Sequence, residues 1–413
     1  MQTNVSGATV KSVESLTSSG KPVIKGWCPG VLRPMLSGDG LVVRIRPTSG
    51  RLSHPQATGI ANLALRYGNG LIDLTNRSNL QLRGVSPSDL SELTDGLRCL
   101  DLLDASPDIE ARRNIVVTPF WKAGDGTLCI AAALGKALSQ ADAPTLPSKF
   151  SFVVDTGEIL VLHTTPANIR IERRAGLLFV YADGFACGAQ VRLDQAVPMA
   201  MALAHWCAVN MTSQLDNPRK LFDVVEASLP EVFQLPLPLH VACLSVQIGA
   251  NPHGWLVGIE LGQMRAQTLM ALAETASHFA SGALRMTPWR MLLIEQLLDT
   301  NGLPELPGVI TCADDPLLRV VACSGAPACL QAHIDTRSMA RVLAPFVPLD
   351  TLLHISGCSK GCAHQKPTLT LVATATGIDM IRYGNVAAKP DVFAVASNTV
   401  LKELKRLLHA TPI

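Results

Sequence analysis

The chain is poor in aromatic rings and in charge. Phe, Trp and Tyr make up 4% of it and Asp, Glu, Lys and Arg 16%, while apolar residues reach 48%. A core with so few rings has to be packed with Leu, Val, Ala and Ile. Long apolar runs are missing as well. The richest stretches, Cys129–Leu134 and Val197–Trp206, are short or interrupted, against the roughly 20 residues of a spanning helix, so no membrane partner is expected. A formal net charge of only +2 gives no general field for nucleic acid. Residues 1–25 are rich in Ser, Thr and Gly without the apolar segment of a signal peptide, and read as a flexible leader on a cytoplasmic protein. No Gly-x-Gly-x-x-Gly opens a strand–helix–strand unit, so no internal dinucleotide site is expected.

Cysteine is not scarce. The 11 cysteines are an odd number in a chain without an export signal, which argues against a disulfide framework. Seven of them (Cys28, Cys99, Cys129, Cys187, Cys207, Cys243 and Cys312) stand singly among mostly apolar neighbours, and most of these read as small buried hydrophobes. The other four are grouped: Cys323 and Cys329 frame a C-x5-C loop, and Cys358 and Cys362 a C-x3-C turn. Four thiolates from two loops suit the four irons of a [4Fe–4S] cluster, one each. If the C-x3-C turn is helical, its two sulfurs face the same way. Gly325, Gly357 and Gly361 are expected to remove side chains where the backbone approaches the cluster. A structural zinc ion gathers its ligands from tighter pairs and fits the five-residue gap less well.

The pattern along the chain predicts an α+β protein. Gly40–Arg46 reads as a strand, Gln56–Tyr67 as a helix and Gly70–Thr75 as a second strand. Gly254–Leu261, Arg265–Ala280 and Gly282–Thr287 repeat that order. Two such half-domains are expected to pair around a pseudo-twofold axis. Between them, strands are predicted at Phe150–Asp155, Ile159–His163, Ile169–Glu172 and Leu177–Tyr181. Helices are predicted at Leu128–Ala141, Val197–Val209 and Pro218–Val225. Pro-rich Leu235–Leu239 reads as a linker, and Asn398–His409 as a C-terminal helix. The expected division is a first repeat over 26–100, an inserted α/β domain over 101–235, a second repeat over 236–303 and a cluster-binding domain over 304–413.

The cysteine spacing in the last third, the Arg44-x-Arg46 strand, Leu74-Thr-Asn-Arg-Ser-Asn-Leu-Gln81, Arg113-Asn114 and Lys149-Phe150 together resemble the sulfite/nitrite reductase haemoprotein family, in family order. The resemblance implies three mixed α/β lobes around a tetrapyrrole, with the repeats as ferredoxin-like halves of the central domain. It implies that Arg44, Arg46, Arg77, Gln81, Arg83, Arg113, Asn114 and Lys149 hold the carboxylate arms, for which guanidinium is well shaped. Departures matter. Ser151 stands where those reductases have a second lysine, and Asp73 stands where they are basic. Gly26-Trp-Cys-Pro-Gly30, Pro34–Arg46, Arg285-Met-Thr-Pro-Trp-Arg290 and Ser356-Gly-Cys-Ser-Lys-Gly-Cys-Ala-His364 resemble the precorrin-3B synthase branch instead. That branch implies precorrin-3A as substrate, hydroxylated at C20 with O2 and closed to a γ-lactone. Electrons would come from NADH through a separate electron-transfer reductase and the cluster. The branch also implies a mononuclear non-haem iron, for which no His/His/carboxylate triad is visible. His364 is a candidate ligand or proton donor, or a histidine satisfied by hydrogen bonding beside the loop. Two alternatives stay open: a reductase with bound sirohaem, and a non-catalytic carrier of tetrapyrrole or electrons.

Overall fold

A computed structural model of the chain describes residues 27–210, 229–239 and 241–409. The leader and the helix expected at Pro218–Val225 lie outside these residues. The described residues form two compact units, one ending at Arg319 and the other beginning at Val320, where the sequence reading opened its last domain at Pro304. Among the described residues no helix is long and apolar enough to cross a membrane.

The first half-domain runs β1 (Met35–Ser37), β2 (Gly40–Ile45), β3 (Arg51–Ser53), α1 (His54–Tyr67), β4 (Leu71–Leu74) and β5 (Leu80–Val85). Helix α1 starts where Ser53 and Gln56 form a capping box with Pro55 in the first turn, which satisfies the free amide groups of the helix end. After α2 (Leu90–Cys99) and α3 (Pro107–Arg112), the inserted part contains β6 (Ile115–Val117), α4 (Thr127–Leu138), β7 (Phe152–Asp155), β8 (Ile169–Arg174), β9 (Leu177–Ala182), β10 (Cys187–Val191), α5 (Ala196–Asn210) and β11 (Leu235–Pro236). These strands make one sheet in the order β11-β10-β9-β8-β7-β6, with α4 and α5 packed on Phe150, Phe152, Val154 and Val180.

Two expectations fail in this part. Ile159–His163 is not a strand. The amides of Val161 and Leu162 both turn onto Asp155 Oδ2, each at 2.8 Å, and Leu160, Val161 and Leu162 are all buried. A buried carboxylate that takes two amides from the run limits its pairing to a single parallel bridge, in which Leu160 N donates to Ala242 O at 2.8 Å and Leu160 O accepts from Leu244 N at 3.0 Å. Leu235–Pro236 is not free linker either, because it pairs with Gly188 and Cys187 as an edge strand. An edge is where a proline, lacking its N–H, is tolerated.

The second half-domain repeats the first: β12 (Gly249–Asn251), β13 (Gly254–Ile259), β14 (Gln263–Arg265), α6 (Ala266–Phe279), β15 (Ala283–Met286) and β16 (Met291–Glu295), followed by β17 (Val309–Ile310). The halves exchange strands. The order of one sheet is β1-β2-β5-β4-β14 and of the other β12-β13-β16-β15-β3, so each half lends the other its short third strand. Backbone detail repeats too. Ser49 and Leu261, Gly70 and Gly282, and Ser78 and Arg290 all have positive φ, and the members of each pair are 212 residues apart. Helices α1 and α6 pack together through equivalent buried positions, Ile60, Ala61 and Ala64 against Leu272, Ala273 and Ala276.

The second unit is a five-stranded sheet, β18 (Val320–Ala322), β19 (Leu353–Ser356), β20 (Thr368–Thr374), β21 (Gly377–Gly384) and β22 (Val392–Val395), in sequence order. Helix α7 (Thr336–Leu343) precedes β19, and α8 (Val400–His409) closes the described chain.

Candidate functional site

The four grouped cysteines lie in the second unit. Strands β18 and β19 are parallel neighbours, so the chain leaves both at the same edge of the sheet, where open α/β sheets place their sites. Cys323 follows β18 directly and Cys358 comes two residues after Ser356, the end of β19. The loops are stitched together: Cys323 N donates to Ile355 O at 3.3 Å and His333 N to Gly357 O at 2.8 Å. Gly357 N donates to Cys323 Sγ at 3.2 Å, and Thr336 Oγ1 donates to Cys323 O at 2.7 Å.

Glycine serves a different purpose here from the one expected. A Cβ on Gly325 would stand 2.5 Å from Thr336 Oγ1, and one on Gly357 would stand 2.6 Å from Ala332 Cβ. The space is used by the protein's own loops packing on each other. Cys358–Cys362 is a turn and not helical, with Gly361 at φ +62°.

Cys358 and Cys362 feel the thiols around them. Burial, with Cys329 and Cys323 adding, raises Cys358 above its ordinary value. Burial, with Cys323, Cys358 and Cys329 adding, pushes Cys362 up to about 11, although its side chain still reaches solvent on one side. The loops that carry the four predicted ligands thus adjoin at one edge of the sheet, and ionising four neighbouring thiols calls for a cationic group between them. Among the described residues no three His, Cys, Asp or Glu side chains close on a point that one metal ion could occupy. Four thiols drawn from two loops fit a multi-iron group better than a single ion. His364 lies beside this loop, its ring 5.9 Å from that of His354, which is fully buried on β19.

The predicted basic residues lie in the first unit, and most of them meet. Arg44 Nε donates to Gln81 Oε1 at 3.0 Å, a pair set by the β2–β5 register. Arg77 Nη2 donates to Lys149 O at 3.3 Å, and Asn114 Nδ2 donates to the next carbonyl, Phe150 O, at 3.0 Å. Arg46 pairs with Glu110 at 3.0 Å, both almost fully buried. Burial lowers Arg46 and raises Glu110 from their ordinary values, so here desolvation outweighs the pair. Glu110 also accepts from Val31 N at 2.6 Å and Leu32 N at 3.1 Å. A Cβ on Gly30 would come within 2.1 Å of that carboxylate, so the Cys28-Pro-Gly30 loop is held by Glu110 and requires glycine there.

Two more of the predicted arginines already have carboxylates. Arg113 grips Asp104 with Nε and Nη2, at 2.6 and 2.9 Å. Arg83 is buried between Asp39 and Asp73, at 2.7 and 3.1 Å. By contrast, among the described residues no carboxylate pairs with Arg44 or Arg77. Burial, with Arg46 and Arg77 adding, brings Arg44 down to about 10 even though Cys28 opposes this. Such a group favours a nearby anion. Ser151, where a second lysine would stand, is buried, and its amide donates to Asn168 Oδ1 at 3.0 Å.

Sequence reasoning missed Cys28. It sits among Arg44, Arg77 and Arg46, with Arg77 Nη1 3.9 Å from its sulfur. The available signal was the Cys-Pro-Gly turn just upstream of the Arg-x-Arg strand.

Comparison with known proteins places this geometry. Residues 33–98 match the nitrite/sulfite reductase ferredoxin-like half domain. The chain is a homologue of a precorrin-3B synthase from Sinorhizobium sp., 27% identical over 93% of this chain and 89% of that one. It is 24% identical to a ferredoxin–nitrite reductase from Synechococcus elongatus, over 81% of this chain and 76% of the relative. The structure of the Mycobacterium tuberculosis NirA protein superposes with a TM-score of 0.61 at 15% identity, covering 90% of this chain and 81% of that one. The fold is therefore sulfite/nitrite-reductase-like, and its relatives are oxidoreductases.

Proposed function

We propose that this chain is a precorrin-3B synthase, an O2-dependent monooxygenase that hydroxylates precorrin-3A at C20 as a substrate acetate closes the γ-lactone. The observation that carries the reading is the half-buried cluster in which Arg44 and Arg77 lack carboxylate partners among the described residues. Two guanidiniums without carboxylate partners among the described residues suit the arms of a polycarboxylate tetrapyrrole, which they can grip with paired hydrogen bonds. Gln81 fixes Arg44, and Lys149 lies next to Arg77 to take a further arm. Arg46 and Glu110 hold the loop that frames the cluster. Arg113, pinned by Asp104, orients the Arg46 backbone through its bond to Arg46 O at 3.0 Å. The full-length likeness to a precorrin-3B synthase supports the same reading.

Small-anion reduction is less well supplied. It would draw on Arg113 and a second lysine, but Arg113 is occupied and position 151 is a buried serine. A [4Fe–4S] cluster held by Cys323, Cys329, Cys358 and Cys362 would supply one-electron transfer from an external, NADH-driven reductase. The chain's own residues bind and orient the substrate, and its acetate makes a protein nucleophile unnecessary. We assign no step to His364.

The test is turnover of precorrin-3A under 18O2 by anaerobically reconstituted protein with reductant. The product should gain one labelled oxygen, and Cys358→Ser should lose both the violet-shoulder chromophore and the turnover. A bound sirohaem, with a Soret band and nitrite or sulfite reduction, would replace this reading with the reductase one.

A further inference from the structure

Cys28 lies in a held loop. Gly30 N donates to Arg33 O at 3.0 Å, Arg46 Nη2 donates to Pro29 O at 3.2 Å, and Glu110 takes the two amides that follow. The sulfur is surrounded by guanidiniums from separate places: Arg44 on β2, Arg46 just after it, and Arg77 in the β4–β5 turn. Arg77 Nη1 is 3.9 Å from Sγ, and Arg44, held by Gln81 at 3.0 Å, adds its charge beside it. Arg46 is only 6% exposed, and its Nε has no hydrogen-bond acceptor, so the cluster retains donor capacity toward an anion here. The other single cysteines differ. Cys207 is fully buried, its thiol pushed up to about 12 by burial, and burial and Glu172 raise Cys243. At Cys28 burial also pushes upward, but Arg44, Arg77 and Arg46 outweigh it and leave the thiol below its ordinary value. The side chain is half-buried, open enough for a small reagent.

We propose that Cys28 is a nucleophilic thiol and a modification site for hydroperoxides, and that its oxidation closes the Arg44–Arg46–Arg77 cluster to carboxylates. In the step, the thiolate sulfur attacks one peroxide oxygen. The S–O bond forms as the O–O bond breaks. Sulfur is oxidised by two electrons, and the departing hydroxide, or the alkoxide of an organic hydroperoxide, takes a solvent proton to become water or an alcohol. Guanidiniums around the sulfur favour the thiolate that attacks, and they pair with the sulfenate that results. That oxyanion then lies where a substrate carboxylate oxygen would bind. This last clause rests on the function proposed above, whereas the reactivity of Cys28 does not.

The experiment treats cluster-loaded, full-length protein with equimolar hydrogen peroxide, traps sulfenate with dimedone and maps each cysteine peptide by mass. Cys28 is expected to label ahead of the exposed Cys99 and Cys129. Arg77→Gln, and separately Arg44→Gln, should slow Cys28 labelling by about tenfold, on the order of one unit of thiol acidity, with circular dichroism unchanged. Labelling no faster than at Cys129, or indifferent to both arginines, overturns the proposal. In a second arm, uroporphyrin serves as the polycarboxylate probe. Its affinity should fall after peroxide in the native chain and stay constant in Cys28→Ser. If uroporphyrin binds no form while Cys28 still labels first, the modification site stands and the carboxylate-binding reading falls.

Discussion

The two half-domains share one backbone but differ in chemistry. In the first, Arg83 on β5 reaches Asp73 on β4 and also holds Asp39. At the positions 212 residues on, Glu295 on β16 reaches Arg285 on β15 and also holds Arg51. One half therefore sets a guanidinium between two carboxylates, and the other a carboxylate between two guanidiniums. The turn before the last strand follows the same plan: Thr75 Oγ1 accepts from Arg77 N and Asn79 N, and Thr287 Oγ1 from Trp289 N and Met291 N. Yet the turn carries Arg77 in one half and Trp289 in the other. The register pair Arg44–Gln81 has Leu256–Leu293 as its counterpart. Trp289 stacks toward Phe120 at 6.3 Å, and Phe120 on His253 at 5.5 Å. The scaffold fixes where side chains project, and residue type alone makes one side cationic and the other apolar.

The largest expected effect comes from breaking the inverted ion pairs. Glu295→Gln leaves Arg285 buried without its carboxylate and should cost about 3–5 kcal/mol in denaturant unfolding. Asp73→Asn should cost less, because Asp39 still neutralises Arg83; equal losses would mean that the inversion has no energetic content. The acid limb reports the same asymmetry. Burial raises Glu295, but hydrogen bonds from Arg285 and Arg51 outweigh it and leave it below its ordinary 4.5. A lowered folded value stabilises the protein above the unfolded value and is lost as pH falls through the folded one. Melting temperature should therefore fall less steeply below about pH 4.5 in Glu295→Gln than in the native chain. A smaller effect is expected at the turns. Arg77→Ala should weaken uroporphyrin binding by about 1.5–3 kcal/mol, as for a hydrogen bond to a charged group, whereas Trp289→Ala should not change its salt dependence. The smallest effect concerns the helix starts. Ser53 caps α1, while Arg265 gives α6 no side-chain cap in the same extended conformation. Ser53→Ala should cost about 1 kcal/mol, and Arg265→Ser should gain a similar or smaller amount.

Much of the fold was legible because local chemistry and burial agreed. Period-2 and period-3.6 patterns located β2, α1, β4, β13, α6 and β15 to within a few residues. The repeat was visible as an order of elements, though its exchanged strands β3 and β14 were not, since three-residue edges carry almost no pattern. Ile159–His163 misled because alternation alone does not show that Asp155 folds the run back onto itself. The cysteine grouping was readable because adjacent loops keep characteristic spacings. The states of the arginines were not readable. Nothing near Arg113 in sequence says that Asp104 grips it, or that Asp39 and Asp73 enclose Arg83.

Sequence by itself determined the element types, the duplicated half-domain and the four thiols, because each depends on residue identity at short range. Tertiary structure decided which of these arginines meet a carboxylate among the described residues. Arg44, Arg46, Arg77, Arg83 and Arg113 are the same residue type, and only their folded neighbours separate those neutralised by Glu110, Asp39, Asp73 or Asp104 from Arg44 and Arg77, gathered around Cys28. Charge interactions depend on distance and desolvation in space, and chain separation specifies neither.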